Sequence, residues 1–208
     1  MLKAEHLSFR YHSQQRWILQ NFSLELTGGE VVGLTGPSGL GKTTIGKLLA
    51  GYLQPTQGKV TCNGQPLSSS SYCPVQLIFQ NPELAVNPRW QISKILAEGQ
   101  PPSDDLLAAL GIHQSWLNRY PHELSGGELQ RIAVARSLNS HTCYLIADEM
   151  TAMLDANTQA LIWQVVIKYA RERELGILVI SHEAPLLKRL CERTIHLSKD
   201  NSFNLSYL

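Results

Sequence analysis

The 208-residue chain is close to neutral, with 18 Lys and Arg against 17 Asp and Glu, which gives no electrostatic case for coating a nucleic acid. An apolar share of 43% and a charged share of 17% belong to a globular chain long enough to bury a sizeable core in a single domain. Cys62, Cys73, Cys143 and Cys191 form no CxxC pair, so they read as free thiols in a reducing cytoplasm. No stretch approaches the roughly 20 apolar residues of a spanning helix, and no leader pattern opens the chain.

From Leu2 to about Leu34, short and partly alternating runs containing Leu7, Phe9, Ile18, Phe22, Leu24 and Leu26 predict β structure, with a turn at Thr27-Gly28-Gly29-Glu30. Val31 to Leu34 is continuously apolar, as a fully buried parallel strand is. It leads through a glycine-rich loop into a helix predicted over Lys42 to Tyr52. β-like patches at Gly58 to Cys62 and Gln76 to Phe79 follow, and the segment from Asn81 to Pro102 breaks the regularity. Short helices predicted at Asp104 to Leu110, at His113 to Tyr120 and after Gly127 suggest a small lobe inserted into an α/β core.

The core resumes with a strand from Tyr144 to Ala147 and a helix from Ala156 to Ala170, where Leu161, Ile162, Val165, Val166 and Tyr169 recur at helical spacing. A strand at Ile177 to Ile180 and a helix at Ala184 to Cys191, with Pro185 in its first turn, come next. Strands near Thr194 to Leu197 and Ser202 to Tyr207 finish the pattern.

Gly36-Pro37-Ser38-Gly39-Leu40-Gly41-Lys42-Thr43, followed by Thr44, matches GxxxxGK[ST] between a strand and a helix. Glycines let backbone N–H groups approach phosphate oxygens, and the helix aims its unpaired N–H groups and positive dipole end at the anion. Lys42 would bridge the β- and γ-phosphates of a nucleotide. Thr43 would offer its hydroxyl to Mg²⁺, which takes few protein ligands.

Tyr144-Leu145-Ile146-Ala147-Asp148-Glu149 is an apolar strand ending in two acids, which strand alternation would point in different directions. Asp148 suits the magnesium shell. Glu149 would face the γ-phosphate and orient or deprotonate the attacking water.

Between these motifs lies Leu124-Ser125-Gly126-Gly127-Glu128-Leu129-Gln130-Arg131, which resembles the signature sequence of ABC ATPases. The resemblance implies a P-loop NTPase core of that type, α/β in class, with an N-terminal antiparallel β subdomain and an inserted helical subdomain. It divides a single domain, 1–208, into a nucleotide-binding core at 1–80 and 140–208 and a helical part at 81–139. It further implies that Ser125, Gly126, Gly127 and Glu128 cap the γ-phosphate of ATP held by a second subunit. Tyr11, with Trp17 as its competitor, resembles the aromatic residue that stacks on adenine. Gln80 resembles the glutamine that touches Mg²⁺ and the catalytic water, and His182 in Val179-Ile180-Ser181-His182-Glu183 resembles the switch histidine. Asp155 closes Met150-Thr151-Ala152-Met153-Leu154-Asp155, where the family usually carries Pro-Thr-Ser-Ala-Leu-Asp, so Ala152 stands in place of the serine that makes a cross-subunit contact in the family.

Phe79-Gln80-Asn81-Pro82 followed by Asn87-Pro88-Arg89 is similar to importers of peptides and nickel. Such a protein would sit peripherally on the cytoplasmic face of the inner membrane and hydrolyse ATP. Its expected partners are a second ATPase subunit, separate integral membrane permease subunits and an extracytoplasmic solute-binding protein, with no nucleic acid. Pro82, Asn87, Pro88 and Arg89 would shape the groove for the permease. The alternatives are a soluble ABC ATPase in a non-transport process and a weakly hydrolysing regulatory partner in a heterodimer.

Overall fold

The computed structural model describes residues 1–67 and 72–198 in full and the backbone of 203–207. Its first sheet is antiparallel, in the order β2-β1-β4-β5. It is built from β1 (Leu2–Phe9), β2 (Leu19–Leu26), β4 (Gln57–Cys62) and β5 (Gln65–Pro66). In β2 the residues Phe22, Leu24 and Leu26 are buried while Ser23 and Glu25 between them are exposed, the period of a strand wet on one face.

The second sheet has the order β10-β9-β3-β8-β7-β6. Its strands are β3 (Val31–Thr35), β6 (Val75–Ile78), β7 (Tyr144–Asp148), β8 (Gly176–Ile180), β9 (Arg193–Leu197) and β10 (Phe203–Tyr207). All neighbours are parallel except β10, which runs antiparallel to β9. Strands β7 and β8 are buried along their whole length, as expected where helices cover both faces of a parallel sheet.

Alternation along these strands divides the core into two layers. Val32, Leu34, Leu77, Ile146, Leu178 and Ile180 pack with Ile45, Leu48 and Leu49 of α1 (Lys42–Leu49) and with the first sheet. Val31, Ile78, Leu145, Ala147, Ile177 and Val179 face the other way. There they meet Ile132 and Val134 of α4 (Gly126–Ser137) and Ile162 and Val166 of α5 (Ala156–Arg173). Helix α1 is thus clamped between two sheets. A Cβ on its Gly46 would lie 3.3 Å from both Ile146 and Ile180. Gly46→Val is therefore expected to lift α1 off the sheet and destabilise the chain by about 1–3 kcal/mol, measured by urea denaturation.

Several predicted boundaries shift for identifiable reasons. Helix α1 stops at Leu49 because Gly51 takes φ +76, a left-handed conformation that ends helices. His113 to Tyr120 forms no continuous helix; it holds only a 3₁₀ turn at Gln114–Trp116. The carbonyls of Leu117 and Arg119 instead accept the N–H groups of Ser93 and Ile92, both at 2.9 Å. They cap the start of α2 (Ile92–Leu96), so they cannot close a helix of their own. Helices α3 (Asp104–Ala109) and α6 (Ala184–Leu190) follow the prediction closely. Helix α5 runs on to Arg173 and ends where Glu174 turns left-handed at φ 53. Ser202 lies outside the described residues. No helix among the described residues is long and apolar enough to cross a membrane.

Candidate active site

After Thr35 the chain leaves β3 through Gly36 at φ +145 and enters α1 through Gly41 at φ +88. A Cβ on Gly36 would come within 2.7 Å of the Leu197 carbonyl oxygen, and one on Gly41 within 2.9 Å of Ile18. Both positions need glycine for backbone conformation and for space. Lys42, only 9% exposed, folds over the loop and donates from Nζ to the carbonyls of Gly36 at 2.7 Å and Pro37 at 3.0 Å.

The loop borders a cleft of about 440 Å³ lined by Ser38, Gly39, Gly41, Lys42, Thr43, Thr44, Gln80, Asp148 and Glu149, together with Ile18. Nine of the residues singled out from sequence therefore share one wall-to-wall space. Gly36 and Pro37 frame it through Lys42, and Leu40 lies off the cleft wall. Ile18 was not legible as a site residue, because it reaches the cleft from the residue just before β2, outside the motif in sequence.

Asp148 ends β7 and is 5% exposed. Burial pushes its carboxyl above the usual range, the Thr43 hydroxyl bond pulls it down, the neighbouring Glu149 charge pushes it up, and Lys42 and Lys47 pull it down. Glu149 departs from the prediction that strand alternation alone separates the two acids. It lies past the strand end with φ 48, its N–H held by the Ile180 carbonyl at 2.9 Å. A left-handed glutamate is uncommon, and such strained positions cluster at functional sites. Nδ1 of His182 stands 3.2 Å from Glu149 Oε1; the histidine is 64% exposed and meets the cleft only through that carboxylate.

Thr43, Asp148 and Gln80 offer a hydroxyl, a carboxylate and an amide oxygen on one cleft. This all-oxygen set suits a hard divalent cation such as Mg²⁺.

Gln80 follows β6, and the preceding Phe79 carbonyl accepts a bond from Gln130 Nε2 at 3.3 Å. Gln130 is 1% exposed, and its Oε1 has no protein partner. A lone amide among Leu129, Ile132 and Ala133 of α4 was the only sequence signal for this bridge. Ser125 caps α4: its Oγ accepts from the Glu128 N–H at 3.3 Å, and Glu128 Oε2 accepts from the Ser125 N–H at 2.7 Å. The exposed Ser125 and Gly126 lie outside this chain's own phosphate cleft, and a Cβ on Gly126 would meet open space.

Asp155 caps α5, accepting from the N–H groups of Asn157 and Thr158 and from the Thr158 hydroxyl at 2.6 Å. Tyr11 is 52% exposed, its ring set edge-on to Phe9 at 5.0 Å, and it is not on the cleft wall. The Trp17 ring is covered by the Arg10 guanidinium at 4.4 Å.

A central parallel sheet, a phosphate loop between β3 and α1, and a buried carboxylate at the end of β7 define a P-loop nucleotide-binding protein. A family model described as ABC transporter matches residues 19–152. The chain is 34% identical to the putative oligopeptide transport ATP-binding protein YkfD of Bacillus subtilis, over 82% of this chain and 58% of that protein. It is also 34% identical to the nickel import ATP-binding protein NikE of Escherichia coli strain UTI89, over 91% and 78%. It therefore spans little more than half the length of the Bacillus relative. The dimeric ATP-binding cassette MJ0796 bound to ADP and Pi shares the fold at TM-score 0.84 and 23% identity, over 100% of this chain and 99% of that one. This chain belongs to the ABC transporter ATP-binding family.

Proposed function

We propose that the chain is the ATP-hydrolysing subunit of an importer. The observation that carries this reading is the meeting of Lys42, Thr43, Asp148 and Glu149 in one cleft, with His182 on Glu149. The backbone of Gly36 to Thr44 holds the phosphates and Lys42 neutralises them. Thr43, Asp148 and Gln80 would hold Mg²⁺, which when bound would offset the charge of the phosphates. Glu149 orients and deprotonates the attacking water, while His182 fixes the Glu149 carboxylate and faces the γ-phosphate. Tyr11 stacks on adenine from the cleft edge.

The cleft is completed in trans. Ser125 to Glu128 do not line their own phosphate cleft and open a helix whose N-terminus favours an anion, so they serve the nucleotide of a second ATPase subunit, with Asp155 near the seam. Segment 81–139 acts as the helical unit within the single domain, and 1–80 with 140–208 as the core. Asn81 and Asn87 accept the N–H groups of Glu83 and Arg89, each at 3.0 Å. These turns shape the segment that carries Pro82, the 74% exposed Leu84, Pro88 and Arg89, which would serve as a surface for a permease subunit at the cytoplasmic face of the membrane. Cargo delivered by an extracytoplasmic binding protein would be a peptide or a nickel chelate, by likeness to the relatives.

The test is phosphate release from Mg-ATP by the purified chain, alone and in the intact membrane complex. Turnover is expected in the complex and is expected to rise with either nickel or peptide. Negligible turnover in both settings would refute the ATPase reading; turnover indifferent to both solutes would refute the cargo class.

Asp148 gives a pH-dependent check. Its folded-state pKa is raised chiefly by burial, so its ionised form costs stability. That cost is absent below the unfolded pKa and grows as pH rises through the folded one. Without Mg²⁺, Asp148→Asn is expected to melt higher than the parent chain at pH 7, with the difference fading at acid pH. The same variant should lose Mg-dependent stabilisation by ATP, as read by thermal denaturation.

A further inference from the structure

A second cavity, about 770 Å³, lies between α5 and α6 and takes no part in the site above. On α5 its lining residues include Ala156, Ala160, Trp163, Ile167 and Arg171, a three-to-four-residue repeat that marks one helical face. From Ala156 to Arg171 this face is about 22 Å long at 1.5 Å per residue. Leu186 and Leu190 of α6 supply the apolar opposite wall. Lys168, Arg171 and Arg189 add three cations against the single acid Glu172, which sits 4.0 Å from Lys168.

The floor is wired to the catalytic loop. Trp163, 4% exposed, donates from Nε1 to Thr151 Oγ1 at 3.1 Å, and Gln159 of the same groove donates to that oxygen at 3.0 Å. Thr151 is 2% exposed and follows Glu149 by two residues. Trp163 and Leu186 also line the small cavity directly behind Glu149, Met150 and Thr151.

We propose that this groove receives one acidic amphipathic helix of a partner protein, and that its occupancy is transmitted to Glu149 through Trp163 and Thr151. Only the transmission rests on the ATPase reading. Small residues at Ala156 and Ala160 let a helix backbone approach closely, the trough is four turns long, and apolar anchors flanked by carboxylates complement its floor and its cations. A second copy of this chain does not fit. Among the described residues its one helix with an acid-rich start, α3, has six residues and buries Leu106.

The probe is a fluorescein-labelled synthetic helix of about 16 residues, with Leu at i, i+4, i+7 and i+11 and Glu beside them, compared with the same peptide carrying Lys for Glu. Fluorescence anisotropy should show the Glu peptide binding the full chain and the Lys peptide not. Lys168→Glu with Arg171→Glu and Arg189→Glu should weaken the Glu peptide at least about tenfold. Hydrogen exchange at 149–154 should slow with bound peptide in the parent chain and not in Thr151→Val, whose peptide affinity should stay intact.

No binding of the Glu peptide, or equal binding to the charge-reversed variant, overturns the groove assignment. So does self-association of the parent chain that the charge reversal abolishes, since that would place a second copy in the groove. Binding without a change in exchange overturns the transmission. A chain that binds the peptide, slows its exchange and hydrolyses no ATP would refute the ATPase reading and leave the groove standing.

Discussion

Glu149→Gln is expected to bind Mg-ATP with near-parental affinity while turnover falls by about 10² to 10⁴, the range a positioned general base contributes. The amide keeps the shape of the side chain and can still hydrogen-bond His182, so the 3.2 Å contact at the cleft edge survives. What is lost is the ability to take a proton from water. Because the proposed second subunit closes over intact γ-phosphate, the variant should accumulate as an ATP-dependent dimer, visible by size-exclusion chromatography. A monomeric variant with full activity would remove Glu149 from the mechanism. The left-handed backbone at this residue is expected to tolerate Gln as it does Glu, so misfolding is not the anticipated outcome.

Mixing two inactive variants should restore activity if the site is shared. Lys42→Ala removes the cation inside the phosphate loop, and Ser125→Arg blocks the exposed start of α4. Each homodimer would carry two broken sites. In a mixed dimer one site joins the intact loop of one chain to the intact signature of the other, so random pairing should recover about a quarter of parental sites. Phosphate release from the one-to-one mixture, compared with each variant alone, checks this. Recovery should require dimerisation and therefore depend on protein concentration. No recovery at any concentration would place the signature in the same chain's site, against its position outside that chain's own cleft.

The phosphate loop, the acid pair and the signature were legible because each is a run of neighbouring residues whose chemistry depends on local spacing. The buried strands were legible for a related reason: Val31 to Leu34 and Tyr144 to Ala147 are apolar on both faces. Features set by distant contacts were not. His113 to Tyr120 has the composition of a short helix, yet its carbonyls are drawn to the start of α2 some 25 residues earlier. Ile18 joins the cleft, and Gln130 bridges to Phe79, only once the sheets and α4 have assembled. Glu149 required knowledge of the Ile180 carbonyl, which holds its N–H on a neighbouring strand. Of the residues named by resemblance, Tyr11 and His182 do not line the cleft, and only His182 touches a residue of its wall, Glu149, so their proposed roles depend on the nucleotide and partner that meet them.

The two carbonyl bonds to Lys42 carry a kinetic and energetic consequence. An ammonium group loses much of its hydration on entering the protein, and here Gly36 and Pro37 replace that water during folding. The cost of drying the cation is therefore met before any nucleotide arrives. On the proposed reading, association would then exchange one set of oxygen acceptors for another, phosphate for carbonyl, in a loop whose backbone shape is already set by Gly36 and Gly41. Selectivity between triphosphate and diphosphate would follow from how completely each can take over those two bonds, which makes the loop's own backbone a competitor that the ligand must outbid.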